Sequence, residues 1–191
     1  MENKNRRDFL KTSAILGTGL MLGNPFSITA NPLKIADKIN IAIVGCGSRG
    51  SGMIFSNIPK IPGANLVAVC DIIETRRENA RRNYNNRYDA NINAYEDFYE
   101  MMEKESLDAV ALATPDFWHM THAVDAMKAG IHVYCEKAMS TNIKDARKMA
   151  QAMKDTGNHL QIGRQRRSND RYRFTHQVLL EQEKLFGRLT H

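Results

Sequence analysis

The chain has 191 residues, 42% of them hydrophobic and 25% charged, with a formal net charge of +6. This composition excludes a collagen-like, low-complexity or disordered chain, and no internal repeat stands out. The charge is too small to imply a nucleic-acid partner by itself, and Cys46, Cys70 and Cys135 have neither the number nor the spacing of a disulfide framework or zinc site; they read as buried, reduced thiols.

The N-terminus reads Asn5-Arg6-Arg7-Asp8-Phe9-Leu10-Lys11. A weakly apolar stretch follows from Ala14 to Leu22, too short to span a bilayer, and then small and polar residues to Ala30. This looks like a twin-arginine export signal over 1–30, with a linker at 31–37. The resemblance implies the twin-arginine machinery as a partner, export of the folded protein, and a periplasmic mature form. The remainder, about 160 residues, suits one domain with a full core.

The apolar run Ile39 to Val44 reads as a buried strand. Gly45-Cys46-Gly47-Ser48-Arg49-Gly50 follows it directly, and a helix is expected from about Ser51 to Ile58, stopped by Pro59. A second apolar run, Leu66 to Cys70, ends in Asp71, about twenty residues beyond the glycine turn. Strand, turn, helix, strand and terminal acid form the dinucleotide-binding fingerprint. Gly45 permits the tight turn, Gly47 lets a pyrophosphate approach the backbone, and Gly50 lets the helix pack on the strand. The helix N-terminus offers free N–H groups to phosphate. Asp71 can accept from the ribose hydroxyls and repel a 2′-phosphate, which favours NAD over NADP, a preference that Arg76 and Arg77 weaken.

Farther on, Thr75-Arg76-Arg77-Glu78 resembles a capping box opening a charged helix to about Asn83. The stretch 83–93 is polar and turn-rich, and Tyr95 to Lys104 reads as a short helix. Asp108 to Thr114 is the next strand, closed by Pro115, and Trp118 to Ala129 the next helix, stopped by Gly130. Ile131 to Cys135 is a strand ending in Glu136-Lys137. Thr141 or Asn142 can cap the following helix, whose apolar positions Ile143, Ala146, Met149, Ala150 and Met153 keep a helical period up to Gly157. His159 to Ile162 is a further strand, and a last helix is expected from about Asp170 to Gln182. The alternation predicts an α/β fold, a doubly wound parallel sheet of Rossmann type over 38–185, with Gly45, Asp71, Thr114 and Lys137 along one edge.

Three segments besides the glycine turn resemble the Gfo/Idh/MocA oxidoreductases: Ala113-Thr114-Pro115-Asp116-Phe117-Trp118-His119, Lys128 to Lys137, and Gln161-Ile162-Gly163-Arg164-Gln165-Arg166-Arg167. The resemblance runs from about Lys38 to His191. It implies that Gly45, Cys46, Gly47, Ser48, Arg49, Gly50, Asp71, Thr114, Pro115, His119, Glu136, Lys137 and Gln165 belong to the cofactor site. It also implies that Lys137, in the family's Glu-Lys-Pro motif, is a catalytic residue. Ala138 stands where the family has proline, which frees the backbone beside Lys137. His119 could equally cover the helix start, and Trp118 suits packing or stacking. His122, His132 and His159 have no metal spacing, so no metal is expected. The arginine-rich run from Arg164 to Arg173 reads as a solvated helix entry or as ion-pair partners of a further domain, not as a nucleic-acid site.

The function implied is NAD-dependent hydride transfer at a sugar, glycoside or polyol hydroxyl, in a protein of homo-oligomeric type. One alternative is a relative that cleaves glycosides through transient oxidation; another is a non-catalytic nucleotide-binding fragment. The family has a second α/β domain that supplies much of the substrate pocket. Residues 186–191 are expected to approach its first strand, leaving this chain with the cofactor domain only.

Overall fold

The structure, a computed structural model, describes residues 38–185 and Gly187. The export-type leader at 1–30, the linker at 31–37 and, Gly187 apart, the approach segment 186–191 lie outside the described residues.

Six parallel strands form one sheet in the order β3-β2-β1-β4-β5-β6. They are β1 (Ile39–Val44), β2 (Ala64–Cys70), β3 (Asn93–Tyr95), β4 (Ala109–Leu112), β5 (His132–Glu136) and β6 (Leu160–Gly163). The helices between them are α1 (Ser48–Gly52), α2 (Glu74–Tyr88), α3 (Phe98–Lys104), α4 (Asp116–Lys128) and α5 (Ile143–Thr156). A short α6 (Asp170–Phe174) follows β6. The expected doubly wound α/β architecture is therefore present.

Alternation along the strands builds two cores. Ala42, Val44, Val110, Leu112, Val133 and Cys135 pack with Phe98, Met101, Ala123, Met127 and Met149 of α3, α4 and α5. Ile43, Val69 and Ala111 pack on the other face with Met53, Ile54, Ala80 and Tyr84. Strand order reverses between β1 and β4, and in such sheets the ligand crevice opens there, beyond the carboxyl ends of the strands. Gly45 follows β1, Thr114 follows β4, and both reach that opening.

Several boundaries differ from the sequence reading. The helix after the glycine turn begins at Ser48 and continues through wider turns to Lys60, with Pro59 inside the final tight turn. Proline is tolerated there because the first residues of a helical turn have no N–H partner to lose. The expected capping box does not form: Ile73 is the N-cap of α2 and Thr75 lies within its first turn. No side chain caps α2; Asp71 Oδ1 instead accepts from the N–H of Ile73, two residues on, at 2.8 Å. Helix α2 runs on to Tyr88 because Tyr84 is buried against Phe55 and the Tyr88 hydroxyl donates to the Phe55 carbonyl at 3.1 Å. The polar stretch before α3 hides the edge strand β3, which has only three residues and pairs with β2 through its backbone. Residues Tyr95 to Asp97 are thus strand and cap rather than helix, with Asp97 Oδ1 accepting from the Glu100 N–H at 2.8 Å.

Candidate functional site

The glycine turn is built from three glycines with different duties. Gly45 has φ of +93°, and a Cβ there would lie 2.7 Å from the Ala113 carbonyl oxygen. A Cβ on Gly50 would collide with the Gly45 carbonyl. Both therefore serve close backbone packing between β1, α1 and the end of β4. Gly47 is different: the nearest heavy atom to a Cβ there is Arg76 Nη1 at 3.9 Å. Its missing side chain leaves open space over the turn, which a Cβ would occupy. The start of α1 has no side-chain cap, so Ser48 and Arg49 open the helix with N–H groups available to an anion.

Asp71 closes the turn from the next strand. Its carboxylate is buried; Oδ2 accepts from the Cys46 N–H at 2.7 Å and Oδ1 from Ile73. An ionised carboxylate has about four acceptor positions, so each oxygen keeps one for a hydroxyl. Arg77 is committed elsewhere, pairing with Glu96 at 3.0 Å and reaching the Asp71 carbonyl. Arg76 stands beside the turn, and its side chain has no hydrogen-bond partner among the described residues.

Glu136, at the end of β5, gathers a cluster. Its Oε1 accepts from Arg49 Nε at 2.8 Å, Gln165 Nε2 at 2.7 Å and the Tyr134 hydroxyl at 3.0 Å. Arg49 adds a second contact through Nη2 at 2.7 Å. Burial pushes the Glu136 carboxyl up, but hydrogen bonds from Arg49, Gln165 and Tyr134 outweigh it and hold the group below its usual range. Three residues expected at the cofactor site thus come together, Arg49 and Gln165 both binding Glu136, and they brace the glycine turn against β5 and the segment after β6. Tyr134 was not singled out from the sequence. Its position two residues before Glu136, on the same strand face, is the signal that could have found it.

Thr114 and Pro115 lie where β4 gives way to α4. The Thr114 hydroxyl is buried and has no hydrogen-bond partner among the described residues, so it is an orphaned polar atom beside the turn. His119 departs from the cofactor-lining expectation: it is 1% exposed. Its Nδ1 stands 2.7 Å from the Ala138 carbonyl oxygen and its Nε2 2.9 Å from that of Thr114. It joins the loops after β4 and β5 from within. Trp118 stacks on His122 with ring centroids 5.2 Å apart, and burial lowers the His122 pKa.

Lys137 follows β5 directly and is exposed. Together with Asp116, Ala138, Met139 and Arg164 it lines a cavity of about 470 Å³. Arg164 opens the run whose sequence suits a solvated helix entry or ion pairs to a further domain; the turn after β6 brings it to the same cavity as Lys137. Among the described residues no group of three His, Cys, Asp or Glu could hold a metal. The thiols of Cys46, Cys70 and Cys135 are free and buried, and burial above all pushes each up to about 12.

A family model, Gfo/Idh/MocA, described as an oxidoreductase family with an NAD-binding Rossmann fold, matches residues 39–164. A glycosyl hydrolase family 109 protein of Solibacter usitatus is 26% identical over 204 aligned residues, covering 100% of this chain and 45% of its own length. The scyllo-inositol 2-dehydrogenase (NAD(+)) of Bacillus subtilis is 28% identical over 136 residues, covering 71% of this chain and 38% of its own. The crystal structure of scyllo-inositol dehydrogenase from Lactobacillus casei, with bound NAD(H) and scyllo-inositol, superposes with a TM-score of 0.68 at 27% identity. It is matched over 77% of this chain and 42% of its own. The chain thus spans less than half the length of each of these proteins.

Proposed function

The chain belongs to the Gfo/Idh/MocA oxidoreductase family and has its NAD-binding Rossmann fold, and from this premise we propose that the whole protein transfers hydride between a sugar, glycoside or polyol hydroxyl and NAD. When bound, NAD supplies the hydride acceptor. The open space over Gly47, the free acceptor positions of Asp71 and the orphaned Thr114 hydroxyl fit such a cofactor. Gly45, Gly47, Ser48 and Arg49 would hold its pyrophosphate, Asp71 its adenosine ribose, and Thr114, Pro115 and Lys137 its nicotinamide side. The buried charge of Asp71 disfavours a 2′-phosphate.

Lys137 is the group we assign to catalysis. Its Nζ donates to the substrate hydroxyl oxygen, and its charge favours the alkoxide formed as the hydroxyl proton passes to a base supplied by the rest of the parent protein; hydride then leaves the carbon for NAD as the carbonyl forms. The observation that carries this role is position: Lys137 borders the cavity and sits at the same sheet edge as the glycine turn. The test has two stages. NAD should raise the thermal unfolding midpoint of the chain, and absence of protection overturns the cofactor site. In the longer parent protein, Lys137→Met should lower turnover about a hundredfold or more; unchanged turnover overturns the catalytic role.

A second reading draws on the glycosyl hydrolase family 109 relative: the protein retains NAD and oxidises its substrate only transiently while cleaving a glycosidic bond. Incubation of the parent with a glycoside separates the readings. Net accumulation of reduced cofactor supports the dehydrogenase; released sugar with no net reduction supports the hydrolase. The leader bearing Arg6 and Arg7 supports export by the twin-arginine route. Replacing both arginines with lysine should keep the protein in the cytoplasm on cell fractionation.

A further inference from the structure

The cavity beside Lys137 carries a charge pattern that a neutral sugar does not need. Lys137 and Arg164 both line it, opposed by one carboxylate, Asp116. Neither cation has a side-chain partner among the described residues, and no ion pair joins Arg164 to Asp116 there.

Arg164 is held in place by its neighbours. A side chain at Gly163 would run into the Tyr134 ring, so the chain lies close against that ring immediately before Arg164. On the other side, Gln165 Nε2 donates to the Tyr134 hydroxyl at 3.0 Å and to Glu136 Oε1 at 2.7 Å. The Arg164 N–H donates to the Ile162 carbonyl at 2.8 Å. A cation whose backbone is tethered on both sides loses less freedom on binding an anion than one on a free loop. A guanidinium also matches the planar, two-oxygen geometry of carboxylate or phosphate. Both cations keep their heads in water, so the cavity has not had to desolvate them in advance.

Resting on the reading that Lys137 faces the substrate, we infer that this cavity takes a sugar or polyol bearing an anionic group, with Arg164 as the residue that selects it. Lys137 serves the reacting hydroxyl and Arg164 the carboxylate or phosphate. Asp116, at the first turn of α4, accepts from a remaining hydroxyl and repels an anion placed in the wrong register.

The test is calorimetric titration of the NAD-loaded longer parent protein with two matched pairs, glucose against glucuronate and inositol against inositol monophosphate. At least one anionic member should bind about tenfold more tightly than its neutral partner. Preference within the first pair identifies carboxylate as the selected group, and within the second phosphate. Arg164→Ala should bring the preferred pair to within about twofold. Arg164→Lys should keep part of a phosphate preference but little of a carboxylate one, because lysine lacks the planar fork. Equal binding within both pairs, a preference that survives Arg164→Ala, or no binding of any sugar to parent protein that does bind NAD overturns the inference. Failure of the chain to bind NAD is a different result and overturns the cofactor reading beneath it.

Discussion

Gly47 and Gly50 belong to one turn, yet their missing side chains do different things. Gly47→Val puts methyl groups into open space at an ordinary backbone conformation, so the fold should survive while NAD affinity falls at least about tenfold. Gly50→Ala meets the Gly45 carbonyl instead and should cost about 1–3 kcal/mol of stability. Calorimetric titration beside thermal unfolding separates the two. Glu136 offers a second contrast. Its carboxyl is held below the ordinary value near 4.5 by Arg49, Gln165 and Tyr134 against the upward push of burial. A depressed folded pKa gives stability that is present above the unfolded value and lost as pH falls through the folded one. Denaturant midpoints of the wild type should therefore decline as pH drops below about 4.5, and Glu136→Gln should flatten that decline while costing about 1–2 kcal/mol at neutral pH. The glycine spacing and Asp71 were legible in the sequence because the turn demands those residue types locally. The joining of Arg49 to Glu136, 87 positions apart, was not, since nothing local to either residue requires the other.

At the level of elements, helix α5 is legible in the sequence because its period, cap and stop all agree. Its apolar face buries Met149, and Gly157 ends it at φ of +71°. The sequence left Thr141 and Asn142 open as caps; the structure gives the role to Asn142, whose Oδ1 accepts from the Asp145 N–H at 2.9 Å. Asn142→Ala should therefore cost about 1 kcal/mol in denaturant unfolding, and Thr141→Ala far less. Strand β3 shows where local reading fails. Asn93, Ala94 and Tyr95 have no apolar run to announce them, and they become a strand only because β2 presents an unpaired edge. Helix α2 outruns its local sequence signal for a related reason: its sequence is dominated by Arg, Asn and Glu, and only Ala80 and Tyr84 are buried. Packing of Tyr84 and Tyr88 against Phe55 extends it, and that contact crosses the βαβ unit.

For the molecule as a whole, NAD binding should stabilise the chain by about 2.7 kcal/mol at a hundredfold excess over its dissociation constant, read as a rise in the unfolding midpoint. The cysteines supply an independent check on the packed core. With all three thiols buried and raised to about 12, none should react with a thiol reagent at neutral pH until the protein unfolds. The sequence by itself determined the alternation of strands and helices, the doubly wound class and the identity of the cofactor turn. Each of these follows from short-range rules: a period, a glycine's freedom, a carboxylate at a strand end. Only the tertiary structure decided that Glu136 binds Arg49, that His119 points inward to two carbonyls, and that Arg164 shares a cavity with Lys137. Those relations join the ends of strands that are neighbours in the sheet but distant in the chain, so they exist only once parallel pairing has set β1, β4, β5 and β6 side by side.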